Sequence, residues 1–304
     1  MTILKEREKS TMQRVLESLN RRTTLSDSDL QTFSQLEKGF EGEQRFDQFV
    51  IEFVDDDYLV INDLLLIING TTIQIDSLLI TGQEIYMYEI KNFKGEYMNS
   101  PNYLKTFSGE EILNPVNQLN RTVVVFRQLL KQWQVRMELM SAVIYVNPQF
   151  TLYKAEETDN IILPTALPYH LIGLNRKRRP LTRDHHTLAE RLLKAHQSEF
   201  SFQKKRSVYD YESLRKGLTC VKCGSFELLV NEKNVRCHTC KAIKPLNETV
   251  LANVEEFRII FPNDKVTTEK MENWCGKQVS NKRIWLILRN KYKKVGKTRG
   301  SHYL

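Results

Sequence analysis

Between residues 58 and 92 the chain carries three apolar runs in close succession, and no other stretch constrains the fold as much. Residues 58–68 are dense in Leu, Ile and Val and end on Asn69-Gly70. That pair suits a hairpin turn, because both residues tolerate positive φ. Residues 71–81 form a second run closed by Gly82, and residues 84–92 a third. A helical pattern precedes them: Leu36, Phe40, Phe46, Phe49, Val50 and Phe53 recur at helical spacing. A loop containing Gly95, Pro101 and Gly109 follows. A helix then starts at Asn114-Pro115, where proline is tolerated in the first turn, and runs to about residue 133. The short apolar run at 139–146 predicts a central strand, 170–174 another strand, and 182–197 a closing helix. The order α-β-β-β-α-β predicts an α/β fold, a mixed sheet flanked by helices.

Charge divides the chain. From Arg176 to Leu304 there are 29 Lys and Arg against 13 Asp and Glu, a balance of +16 that leaves −8 for residues 1–175. A basic half joined to an acidic half suggests a polyanionic partner for the former; a merely solvated basic surface is the plainer reading. No run of eighteen apolar residues marks a membrane span, and the N-terminus lacks an apolar signal core, so a cytoplasmic protein without a membrane partner is expected. The pattern divides into a polar helical extension (1–37), a first domain (38–200), a charged linker (201–217), a cysteine module (218–245) and a basic C-terminal module (246–304).

Within the strands, Asp76 and Glu89-Ile90-Lys91 form D-x12-E-x-K. Residues two apart on a strand share a face, so Glu89 and Lys91 point the same way. The hairpin can bring Asp76 beside Glu89. Two adjacent carboxylates repel unless a cation sits between them, and oxygen ligands suit Mg²⁺ or Mn²⁺. Such an ion activates water and neutralises charge on a phosphoryl oxygen, while a lysine stabilises developing negative charge. An E-x-K pattern is also what a solvated strand face looks like. Here, however, Tyr86, Tyr88 and Ile90 line one face while Ile85 and Met87 precede Glu89 on the other. Charges at the end of a doubly apolar strand are costly unless paired or functional. Glu43 sits three residues from both Phe40 and Phe46, on the buried face of its helix, unless it is a capping or surface residue.

Four runs then carry a resemblance. Gly39-Phe40-Glu41-Gly42-Glu43, Gln74-Ile75-Asp76, Glu89-Ile90-Lys91-Asn92-Phe93-Lys94-Gly95 and Asn114-Pro115-Val116-Asn117-Gln118 resemble, in order, the motifs of the nuclease-related domain NERD. The resemblance covers about residues 38–197. It implies the PD-(D/E)xK superfamily, a restriction-endonuclease-like αβββαβ core and Mg²⁺-dependent phosphodiester cleavage. Carried over by position, Asp76 and Glu89 are implied metal ligands and Lys91 the catalytic lysine. Glu43 is implied as the helix carboxylate assisting the metal, and Gln118 as a helix residue facing it; capping or packing is the other role open to Gln118.

Further on, Cys220, Cys223, Cys237 and Cys240 form C-x2-C-x13-C-x2-C. In a chain without a secretory signal this spacing predicts a metal knuckle pair rather than disulfides, and it resembles a zinc ribbon with a structural Zn²⁺. An iron site or a redox pair are the rival readings. Residues 267–294 have helix-turn-helix character: Thr267 caps one helix, Cys275-Gly276-Lys277 turns, and Ser280 caps a second. Asn281, Lys282 and Arg283 would then enter a groove, and Lys291, Lys293, Lys294, Lys297 and Arg299 would meet phosphates. An ordinary helical pair with a basic surface fits the same residues.

The expectation is therefore a metal-dependent endonuclease acting on nucleic acid, taken as DNA. Cleavage of both strands would favour two active sites and so a homodimer. The alternatives are a non-catalytic nucleic-acid-binding or regulatory protein on a retained nuclease fold, and a scaffold that uses the ribbon to contact proteins.

Overall fold

The computed structural model describes residues 1–55, 57–156, 160–176, 179–197, 209–296 and 301–304. The chain splits into two compact units, Met1–Lys9 with Gln35–Gln203, and Ser10–Ser34 with Lys204–Leu304. In chain order the first elements are β1 (Thr2–Lys5), α1 (Thr11–Arg22), α2 (Asp27–Phe53), β2 (Leu59–Ile68), β3 (Thr71–Ile80) and β4 (Glu84–Lys91). Next come β5 (Gly95–Asn99), β6 (Tyr103–Thr106), β7 (Glu111–Leu113), α3 (Pro115–Gln132), β8 (Glu138–Tyr145), β9 (Phe150–Tyr153), β10 (Ile161–Ile162), α4 (Leu167–Asn175) and α5 (Arg183–Ala195). The remainder is β11 (Leu228–Val230), β12 (Asn234–Cys237), β13 (Ile243–Pro245), α6 (Leu246–Ile260), α7 (Thr268–Trp274), α8 (Asn281–Lys291), β14 (Lys294–Val295) and β15 (His302–Tyr303). Among the described residues no helix is long and apolar enough to cross a membrane.

The first unit is built on a six-stranded mixed sheet in the order β1-β2-β3-β4-β8-β10. The pairs β2/β3 and β3/β4 are antiparallel; β1/β2, β4/β8 and β8/β10 are parallel. Both faces are buried, because successive strand residues feed opposite cores. On β4, Ile85 and Met87 join a core with Leu119, Phe126 and Leu130 of α3 and Leu188 and Leu192 of α5. Tyr86, Tyr88 and Ile90 join the opposite core with Phe46 and Val50 of α2 and Leu167 and Leu171 of α4. The expected αβββαβ core is present as α2-β2-β3-β4-α3-β8.

Three expectations are corrected. Residues 2–5 are an edge strand rather than part of a helical extension; Ile3 and Leu4 pack on opposite cores, the two-residue period of a strand. Residues 167–175 are helical where a strand over 170–174 was expected, and Leu167, Leu171 and Leu174 recur at helical spacing. The loop after β4 holds a second sheet, β7-β6-β5-β9, whose Tyr97, Leu104 and Phe150 extend the α3-side core.

The second unit packs around one core. Val15 and Leu19 of α1, Val235 of the cysteine hairpin, Val250 and Phe257 of α6, Trp274 of α7 and Ile284 and Leu288 of α8 belong to it. Residues 10–34 thus share an interior with 209–296. Residues 209–217, expected as linker, supply Tyr209, Tyr211 and Leu214 to the same core, while 201–208 lie outside the described residues. Helices α7 and α8 follow α6, and the antiparallel pair β14/β15 after α8 bridges back to Val266. The second helix ends at Lys291 rather than near 294, because β14 begins there.

A buried arginine closes this unit. The Arg22 side chain is fully buried, donates to both oxygens of Glu256 at 3.2 and 2.5 Å, and also donates to the carbonyls of Arg215 and Gly217 and to Asn253 Oδ1. Its guanidinium lies 3.9 Å from the centre of the Trp274 ring. Removing one partner of a buried pair leaves an uncompensated charge and typically costs about 3–5 kcal/mol. Arg22→Met is therefore expected to lower the stability of the second unit by that order, read as a shifted denaturant midpoint; an unshifted midpoint would contradict it.

Candidate active site

At Asp76 strand β3 parts from both neighbours. The β2/β3 ladder runs through Asn62↔Ser77 and Leu64↔Ile75 but skips the opposed pair Asp63/Asp76. The α3-side core residues switch parity there, from Leu59 and Ile61 to Leu64 and Leu66 on β2, and from Ile75 to Leu78 on β3. Asp63 takes positive φ (51°), which an Asp tolerates better than a branched residue. On the other edge the β3/β4 ladder stops at Ser77↔Tyr88, one register short of Asp76 and Glu89. Irregularities of this kind re-aim side chains beside functional sites.

The opened ladder is closed by a side chain. Asp76 Oδ2 accepts the Ile90 backbone N–H at 2.8 Å, so its carboxylate lies against β4 between Glu89 and Lys91. Lys91 Nζ pairs with Glu89 Oε1 at 2.7 Å and reaches Gln118 Oε1 of α3 at 3.4 Å. On its far edge β4 stays paired to β8 through Lys91↔Tyr145, which fixes the strand that bears Glu89 and Lys91. Glu43 of α2 faces the same group, within the field of Asp76. The five residues singled out in the sequence therefore converge.

Two local features set the helices. A Cβ at Gly42 would lie 2.4 Å from Asn92 Cβ, so glycine lets α2 approach the end of β4 and brings Glu43 with it. Asn114 caps α3 by accepting the Val116 N–H at 3.0 Å, and its own amide donates to Ser100 O at 2.8 Å. That anchorage fixes the turn from which Gln118 reaches Lys91.

Three participants escaped the sequence reading. Arg7, just beyond β1, has a side chain only 3% exposed. It donates to both oxygens of Asp47 (2.9 and 3.1 Å), to Glu43 (3.1 Å), to Asp63 (2.8 Å) and to the Asp76 carbonyl (3.1 Å). Asp63 carried a signal, a lone carboxylate inside an apolar strand, and Asp47 lies one helical turn after Glu43. Arg7 carried none.

Burial and crowding dominate the electrostatics. Burial and the charge of Asp76 push Glu89 up to about 7 against the pull of Lys91. The same two causes push Glu43 up to about 8 against Arg7. Burial raises Asp76 despite the Ile90 N–H and Lys91, and raises Asp63 despite Arg7 and Lys5. Burial works against the Lys91 ammonium, yet Glu89 and Asp76 raise its pKa. Five carboxylates thus face Arg7, Lys91 and Lys5, a surplus of two negative charges when all are ionised. A divalent cation fits that surplus and the oxygen donors that the Asp76 and Glu89 carboxylates offer.

The second unit holds a separate donor set. The Sγ atoms of Cys220, Cys223, Cys237 and Cys240 all lie within 4.8 Å of one another, with Cys220 to Cys240 at 3.7 Å and Cys223 to Cys237 at 3.6 Å. Tetrahedral zinc with Zn–S bonds of about 2.3 Å places its sulfurs ~3.8 Å apart. The cluster is compatible with a zinc ribbon, and Cys275, the fifth thiol, is buried in the core. Of the basic residues expected to meet nucleic acid, Lys282, Arg283, Lys291, Lys293 and Lys294 are exposed. Asn281 is tied to the preceding helix: its backbone N–H and side-chain amide both donate to Glu272, at 3.1 and 3.0 Å. Glu272 thus satisfies the first turn of α8, where the Ser280 side chain makes no capping bond. Lys297 and Arg299 lie outside the described residues.

Residues 38–146 match the family model of the nuclease-related domain, NERD. No curated protein and no solved structure matches the chain.

The raised carboxyls make a stability prediction. In magnesium-free buffer the fold favours the protonated forms of Glu43 and Glu89, whose values lie above those of exposed carboxylates. That contribution is complete below about pH 4.5 and is lost as pH rises through about 7 and 8. The thermal midpoint should therefore fall between pH 5 and pH 9, and Glu89→Gln, which cannot ionise, should flatten the fall. An identical slope in wild type and variant would refute it.

Proposed function

We propose that the nuclease-related domain at residues 38–146 hydrolyses phosphodiester bonds in nucleic acid, DNA foremost, with Mg²⁺ or Mn²⁺ as cofactor and an endonucleolytic mode of attack. The observation that carries this reading is the Asp76 carboxylate held by the Ile90 N–H beside the Glu89–Lys91 pair. Asp76 and Glu89 would hold the cation, which supplies Lewis-acid chemistry at the scissile phosphate. Lys91 orients the attacking water and stabilises negative charge building on the phosphoryl oxygens. Water adds to phosphorus, the bond to one sugar oxygen breaks, and a proton passes to that oxygen. Gln118 steadies the Lys91 ammonium. Glu43 contributes negative charge to the site without needing to touch the substrate.

The second unit supports the same reading as a binding module. Its exposed Lys282 and Arg283 open α8, beside a cleft of about 570 Å³ that also takes in Asn231 and Lys233 of the hairpin turn. Lys291 ends the same helix, and Lys293 and Lys294 follow it. These side chains suit phosphate contacts, and Cys220, Cys223, Cys237 and Cys240 suit a structural zinc that holds the hairpin.

Incubation with Mg²⁺ or Mn²⁺ and DNA or RNA tests the catalytic claim. Asp76→Ala should abolish cleavage and Lys91→Ala should reduce it on the order of 10²–10³-fold, both with nearly unchanged binding. Binding without metal-dependent products would instead favour the non-catalytic reading. Charge reversal, Lys282→Glu with Arg283→Glu, is the test of the binding module, since deletion of the C-terminal residues would strip the core from α1. It should weaken affinity and reduce the salt slope by about 2. Metal analysis of the purified protein should find one zinc equivalent, lost in Cys237→Ser together with thermal stability.

A further inference from the structure

Among the described residues of the first unit, Arg7 is a buried cation for which the proposed chemistry has no use, and its bonding defines what it can do. A guanidinium has five N–H donors. All five are engaged: two on Asp47, one each on Glu43 and Asp63, and one on the Asp76 carbonyl. With its side chain 3% exposed and no donor to spare, Arg7 has none left for a substrate phosphate. It also cannot lose its charge, since guanidinium stays protonated at any working pH.

The acids it gathers are the ones that would otherwise complete a second cation site. Glu43 and Asp63 both feel the charge of Asp76, and Arg7 bridges the two of them through a single nitrogen, Nη1. In two-metal phosphodiesterases a second divalent ion shares a central carboxylate with the first and is completed by neighbouring acids. Here that role falls on a carboxylate cluster already neutralised by a fixed organic cation. The charge balance agrees: five carboxylates against Arg7, Lys91 and Lys5 leave two negative charges, which one divalent ion cancels and two would overshoot. The position of Arg7 follows from the sheet, because β1 pairs in parallel with β2 (Thr2↔Leu59, Ile3↔Val60, Lys5↔Ile61), so the chain leaving β1 runs alongside Asp63.

We infer that Arg7 stands in for a second metal ion: it keeps Glu43 and Asp63 from ligating one and leaves a one-ion centre held by Asp76 and Glu89. This rests on the proposed metal-dependent reading and adds the stoichiometry and the residue that sets it. Arg7 is a positioning residue on this account, since it acts through Glu43 and the Asp76 backbone.

Counting ions tests it without any turnover. Full-length, zinc-loaded protein is titrated with Mn²⁺, and free Mn²⁺ is followed by electron paramagnetic resonance. Wild type should take up one Mn²⁺ that is absent in Asp76→Ala/Glu89→Ala. Arg7→Met should take up a second, and Arg7→Met/Glu43→Gln should lose it again. Two ions in wild type, both lost in Asp76→Ala/Glu89→Ala, would overturn the inference while leaving the nuclease reading intact; so would a folded Arg7→Met that still binds one. No ion dependent on Asp76 and Glu89 would instead sink the metal-dependent reading itself. Should Arg7→Met fail to fold, the wild-type count alone decides, and Arg7→Lys, which keeps the charge without the fork, should still bind a single ion.

Discussion

One hydrogen bond organises the first unit: the Ile90 N–H given to Asp76 Oδ2. A sheet normally satisfies its interior donors with backbone carbonyls, and a buried unpaired N–H costs a substantial fraction of its stability margin. At Asp76 the ladder to β4 stops and the ladder to β2 skips a pair, so the backbone there gives up its ordinary partners. The carboxylate takes one vacated role and the Arg7 guanidinium takes another by donating to the Asp76 carbonyl. Structure and the proposed chemistry thus meet in one place: the interruption that needs a carboxylate for its hydrogen bonding also brings that carboxylate beside Glu89 and Lys91.

Each unit depends on an arginine supplied by the N-terminal segment. Arg7 neutralises the acids around Asp76, and Arg22 does the same for Glu256 within the core of the second unit. Both are forked and have buried side chains that donate to carboxylates, a use to which guanidinium is better suited than ammonium because its geometry matches carboxylates and it is more weakly hydrated. The residues that look most like a dispensable extension therefore carry the two charges least replaceable by water.

The sequence was most readable where physics is local. Periodicity set out α2-β2-β3-β4-α3-β8, and charges lodged in doubly apolar β4 pointed to Glu89 and Lys91. The same logic, applied to Asp63 between Ile61 and Leu64, would have added a fourth acid. Arg7 was beyond reach, since its partners lie 36 to 69 residues away and nothing in its polar neighbourhood distinguishes it. Helix α4 was misread because its short apolar run fits either period, and length alone did not arbitrate. For α1, the spacing of Val15 and Leu19 announces a buried face but not what buries it; the answer, α6 and its neighbours, lies more than 200 residues on. Asn281 carries a bond that no local pattern announces, its side-chain amide being given to Glu272.

The discontinuous second unit has a consequence for biosynthesis. Arg22 and Glu256 are separated by 234 residues, so the helix bearing the arginine leaves the ribosome long before its carboxylate exists. At roughly 5–20 residues per second, that interval is on the order of tens of seconds. Throughout it the apolar stripe of α1 has no interior to enter. The first unit, whose residues end at Gln203, can assemble in the meantime. Translation order therefore keeps the N-terminal helix waiting for its partners until the helix that carries Glu256 has been made.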